Sequence, residues 1–146
     1  MRVTLSRVVC ILLVSSCSDS NDGSTPTPTP TPTEPVTFST IQSEIFTPSC
    51  TQSTCHDSSA GGGLDLTSAA VSYAQLINVP AQQVNAAARG KVRVVPGDPV
   101  NSFLVQKLDS TLEPDEGEVM PRNTSGLANS RIDQIRTWIN DSAPNN

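Results

Sequence analysis

One short stretch carries most of the reactive side chains of this 146-residue chain: Cys50-Thr51-Gln52-Ser53-Thr54-Cys55-His56. His56 is the only histidine, and two of the four cysteines flank the spacer that leads to it. Two thiols followed directly by an imidazole suit covalent haem attachment, most often written C-x-x-C-H. Here the spacer is four residues, giving C-x4-C-H. Each thiol can add across one vinyl group to form a thioether, and the adjacent imidazole can bind iron. Because the vinyl groups fix the two sulfurs, the longer spacer must bulge, and Thr, Gln, Ser and Thr are small or polar enough to bulge into solvent. Two other chemistries use the same residues. Cys50 and Cys55 could close a disulfide in an oxidising compartment, leaving His56 as a surface residue. With His56 they could also supply three ligands to zinc.

A haem iron with one histidine takes a second ligand or keeps an open position. Outside the initiator, the chain has a single methionine, Met120, followed by Pro121 in a polar stretch. Its thioether is a soft axial haem ligand. The alternative is a side chain that plugs the underside of its loop. Arg93 carries a guanidinium shaped for carboxylates, and could meet a haem propionate or lie at the surface.

These residues need a scaffold, and the chain supplies it in three parts. Residues 1–16 read as an export signal: Arg2 and Arg7, then Val8-Val9-Cys10-Ile11-Leu12-Leu13-Val14. The apolar run is too short to span a bilayer. It ends Val14-Ser15-Ser16-Cys17, which resembles a bacterial lipobox and implies that Cys17 is acylated. Residues 17–35 are a tether in which Thr-Pro repeats from Thr25 to Pro32. Alternating proline favours extended polyproline II, a semi-rigid spacer. Residues 36–146 are the expected folded domain.

Within that domain the hydrophobic spacing predicts helices and little else. A first helix fits 40–46, with Ser39 and Gln42 as a capping box and Pro48 beyond its end. A second fits 68–77, capped by Thr67, with Tyr73, Leu76 and Ile77 facing in. Residues 81–90 suit a helical turn, and 91–95 a short extended piece. A third helix begins with Asp98 as N-cap and Pro99 in its first turn, with Val100, Phe103, Leu104 and Leu108 as the buried stripe. A long loop over 109–129 contains Met120. Ser130 then opens a last helix with Ile132, Ile135, Trp138 and Ile139 on its apolar face. The Ser58–Gly63 loop lacks the strand and lysine of a phosphate-binding loop.

Charge excludes one class of partner. The formal net charge is −5, and removing Arg2 and Arg7 with the signal makes it −7. Arg89, Lys91 and Arg93 are too small a basic cluster for nucleic acid. Asp109, Glu113, Asp115, Glu116 and Glu118 make the Met120 loop acidic, either as a steering patch for a basic redox partner or as a solvated loop.

In this order — helix, Cys-x4-Cys-His, further helices, a Met-Pro loop, a C-terminal amphipathic helix — the chain resembles a class I cytochrome c domain. More closely, it resembles the small c-type domains of exported myxobacterial and planctomycete proteins. The stretches that carry the resemblance are Ile45–Cys50, Cys55-His56, Gly63–Leu66, Arg93–Pro99, Ser102–Leu108, Met120-Pro121 and Ile135–Ile139. It implies an all-α domain wrapped around one covalent haem c, with His56 and Met120 as axial ligands and Cys50 and Cys55 as attachment points. It also implies an electron carrier, not an enzyme, with an unidentified redox partner protein. With Cys17 lipidated, the carrier would sit in the bacterial cell envelope, anchored to the membrane. The competing expectation is a haem-free lipoprotein module stapled by a Cys50–Cys55 disulfide.

Overall fold

The computed structural model describes residues 35–53 and 55–146. The signal segment, Cys17 and the Thr-Pro tether lie outside the described residues. The described elements are helical, and extended pairing is limited to single β-bridges such as Ile77 with Val94 and Pro80 with Val92. The all-α expectation holds. No helix among the described residues is long and apolar enough to cross a membrane.

The first helical rod comprises α1 (Phe38–Ile41), a π-helical turn (Gln42–Phe46) and α2 (Thr47–Cys50). It is longer than the sequence spacing predicts at both ends. Thr37, not Ser39, is the N-cap, accepting from the Thr40 amide at 3.1 Å. Pro48 lies inside the rod instead of stopping it. A proline ring would clash with the carbonyl four residues back. The π turn ahead of it, with the Thr47 amide bonded to the Gln42 carbonyl, widens the ladder where that clash would fall.

Three more short helices follow: α3 (Ala69–Leu76), α4 (Val84–Ala88) and α5 (Phe103–Asp109). Ser68, one residue after the expected Thr67, caps α3. The start of α5 differs more. Asp98 does accept from the Asn101 amide at 3.1 Å, but it caps only a turn. Ser102 is extended, and its hydroxyl accepts from the Val95 amide at 2.9 Å and donates to the Asp98 carbonyl at 2.8 Å. Helix therefore begins at Phe103. Val100, expected in the buried stripe, is 75% exposed, and Val105 is buried instead. The last helix, α6 (Asn129–Asn140), starts one residue before Ser130.

Phe38 is the hub of the core. It stacks on Trp138 at 4.9 Å between ring centroids, and meets Tyr73 edge-on at 5.2 Å and Phe46 at 6.2 Å. Ile132, Ile135, Trp138 and Ile139 of α6 are all buried, as their spacing requires. The tail closes this layer: Ala143 O accepts from Tyr73 Oη, and Asn146 Oδ1 accepts from the Phe38 amide. This packing holds the rod that ends at Cys50.

Candidate haem crevice

The rod stops at Cys50 because the following side chains take its last carbonyls, which a helix end leaves unpaired. Thr51 Oγ1 donates to Thr47 O at 2.6 Å and Gln52 Nε2 to Pro48 O at 3.1 Å. The His56 amide then donates to Cys50 O at 3.0 Å, closing the spacer into a loop. Gln52 and Ser53 in that loop are exposed, as a bulge into solvent demands.

His56 is oriented by a single contact. Its Nδ1 lies 3.1 Å from Leu64 O. A carbonyl can only accept, so Nδ1 carries a proton, and in the neutral ring the lone pair is on Nε2. A backbone carbonyl on the remote ring nitrogen is the usual way a protein fixes a metal-binding imidazole.

Cys50, His56 and Met120 all line one cavity of about 670 Å³. Sites for small molecules and cofactors span roughly 300–1,000 Å³. Its apolar walls include Leu64, Leu66, Leu76, Phe103, Leu104 and Leu108. Met120 reaches it from the 109–129 loop and packs against the main core. Met120 is half-buried there.

The two thiols differ. Both are free. Cys50 is half-buried at the cavity, and burial, with Cys55 adding a smaller effect, pushes its thiol up to about 12. Cys55 is exposed and outside the cavity lining. A buried thiol that resists ionisation is a poor zinc ligand without help. Among the described residues, no three His, Cys, Asp or Glu side chains are grouped to hold a metal ion.

Arg93 is the residue that sequence reasoning left undecided. It is only 6% exposed and lines the cavity. Its guanidinium donates to Gln75 O at 2.8 Å and Gly63 O at 2.7 Å, with no carboxylate partner among its described bonds. Burial lowers its pKa from the ordinary value, yet arginine stays charged. Lys107 and Arg122 also line the cavity, against a single carboxylate, Glu118. Three cations facing one anion leave a surplus of two positive charges in an acidic protein.

Three of the five acidic residues are ion-paired. Glu116 is fully buried and paired with Lys91 and Arg89. Glu118 pairs with Arg122, and Asp109 with Arg136. A second, open groove of about 640 Å³ is lined by several of these paired groups, and by none of Cys50, Cys55, His56 or Met120.

Compared with protein-family models, with curated proteins and with solved structures, the chain matches none of them.

Proposed function

We propose that the domain is a single-haem c-type cytochrome that carries electrons and does not transform a substrate. One observation supports this above the others: Met120, distant in sequence from Cys50 and His56, shares one apolar cavity with them. The residues present fit the group. His56 has an oriented ring facing the cavity, Met120 offers a thioether, Cys50 offers an attachment point on the cavity, and Cys55 offers a second thiol outside its lining. The cavity's surplus of two positive charges suits the two propionates of a haem, with Arg93 the buried cation among them. Bound there, haem supplies a one-electron ferric/ferrous couple. The chain's own contribution would be to wall the group with leucines and Phe103 and to offer His56 and Met120 as iron ligands. With both bound, chemistry at an open iron would be disfavoured, and a methionine ligand would raise the potential. We also propose that Cys17 is lipidated, so that the Thr-Pro tether holds the domain off a membrane of the cell envelope and a redox partner protein meets it there.

Expression with a c-type maturation system tests the first proposal. A red protein whose haem survives denaturing electrophoresis is expected, and Cys50→Ser with Cys55→Ser should abolish the stain. A colourless product with a Cys50–Cys55 disulfide would overturn it in favour of the haem-free module. Met120→Ala should lower the potential, admit cyanide or carbon monoxide, and remove the weak long-wavelength absorption of a thioether on ferric haem. An unchanged spectrum would exclude Met120 as ligand. For the anchor, Cys17→Ser should move the domain from the membrane to the soluble fraction; a variant as membrane-bound as wild type would refute lipidation.

A further inference from the structure

Glu116 is fully buried, although Asp115 before it and Gly117 after it are exposed. A carboxylate taken out of water is costly unless it is paired and hydrogen-bonded. Glu116 is both. Its Oε2 accepts from Lys91 Nζ at 2.6 Å and from the Glu113 amide at 3.0 Å, and its Oε1 from Arg89 Nη1 at 3.3 Å. Lys91 also donates to Gln106 Oε1 in α5 at 2.8 Å. The next residue of α5, Lys107, donates from Nζ to the carbonyls of Glu116 and Glu118, each at 2.9 Å. The Lys107 carbonyl in turn accepts from the Met120 amide at 2.7 Å. Both ammonium groups lie over the Phe103 ring, at 5.7 Å and 5.4 Å from its centroid. Residues 116–120 are thus fastened to α5 and to 89–91 through one buried carboxylate and one lysine.

What this fastening positions is Met120. Residues 110–128, between α5 and α6, have no helix or strand to order them, and loops without such ladders are the mobile parts of a fold. A thioether is a neutral, soft group on a flexible side chain, and contributes little order of its own. We propose that Glu116 is the positioning residue for Met120: its buried ion pair with Lys91 holds the loop so that the thioether stays on the cavity. The inference rests on the reading of Met120 as an axial ligand. Glu116 itself does not line the cavity, and neither does Lys91. The contacts that lead from them to Met120 run through the loop and through Lys107 of α5.

The test uses the full chain matured with haem, carrying Glu116→Gln or Lys91→Gln. Both variants should keep the covalent haem stain. Both should lose most of the long-wavelength thioether absorption, fall in reduction potential, and bind cyanide at least about ten-fold faster, each factor of ten being one lost increment of barrier. The Met120 amide should exchange with solvent faster. Lys91→Arg keeps a cation for Glu116 and should restore the wild-type spectrum. If Glu116→Gln fails to fold, Lys91→Gln carries the same test from the other side of the pair. Variants that melt at lower temperature but keep the wild-type absorption, potential and cyanide rate would overturn the proposal and leave Glu116 a stabilising residue only. A wild-type protein without the thioether absorption, together with a spectrally silent Met120→Ala, would instead remove Met120 as ligand, and this inference with it.

Discussion

Cys50 and Cys55 are equivalent in the motif and unequal in the structure. Cys50 packs against the core and borders the cavity, whereas Cys55 is exposed. The thiolate is the reactive form, and Cys50 is held near 12, far above neutral pH, by burial and by Cys55. In reduced protein produced without haem, iodoacetamide should therefore alkylate Cys55 well before Cys50, as mass spectrometry of timed digests would show; equal rates would contradict the burial of Cys50. The same asymmetry predicts stability. Cys50→Ser puts a hydroxyl into an apolar site and should cost about 1–3 kcal/mol in a denaturant melt, while Cys55→Ser should stay within about 0.5 kcal/mol of wild type. The thiols, His56 and Met120 were legible in the sequence because residue type and local spacing single them out. Arg93 and Glu116 were not. A charged residue declares itself as buried only when the chain folds over it, and neither the Arg93 carbonyl partners nor the Lys91–Glu116 pair are sequence neighbours.

At the scale of elements, α6 was read correctly because four buried residues at helical spacing leave no other solution. The start of α5 departs from the sequence expectation. Asp98-Pro99 has the chemistry of a helix start, and a tertiary contact, Val95 with Ser102, turned that chemistry into a separate turn. The π turn before Cys50 was equally hidden, since only the packed rod shows how Pro48 is accommodated. The contact between α1 and α6 governs the site from a distance. Trp138 is fully buried, stacks on Phe38, and donates from Nε1 to Pro144 O at 2.9 Å. Trp138→Ala should cost about 3–5 kcal/mol by cavity formation, read as a lower urea midpoint. Trp138→Phe keeps the ring but strands the Pro144 carbonyl, and should lose less. An equal loss for Phe and Ala would show that the bond, which both variants lack, and not the stacked area holds α6 to the rod.

Across the whole molecule, two systems divide the work. The aromatic core around Phe38 holds the Cys50–His56 side of the cavity, and the buried Glu116 network holds the Met120 side. They respond differently to pH. Burial alone would raise the Glu116 carboxyl, but the Lys91 contact, the Glu113 amide and Arg89 outweigh it, so its pKa lies below the ordinary value of 4.5. A carboxyl whose folded pKa is depressed binds a proton less readily folded than unfolded. Its contribution is thus complete above the unfolded value and is lost as pH falls through the folded one. At pH 7, Glu116→Gln should be less stable than wild type by about 3 kcal/mol, the scale for breaking a buried pair from one side. As pH falls below 4.5 and through the depressed folded value, Glu116 gains a proton and comes to resemble the amide, so the two stability curves should converge. Raising the salt concentration should narrow the gap at pH 7 only in part, because Glu116 is buried while Lys91 and Arg89 remain 16% and 41% exposed. Urea melts of both proteins from pH 7 to pH 3 would check this. A gap that stays constant across the range would mean that the Glu116 charge adds nothing to holding the loop, and that its shape alone fills the space between Lys91 and Arg89.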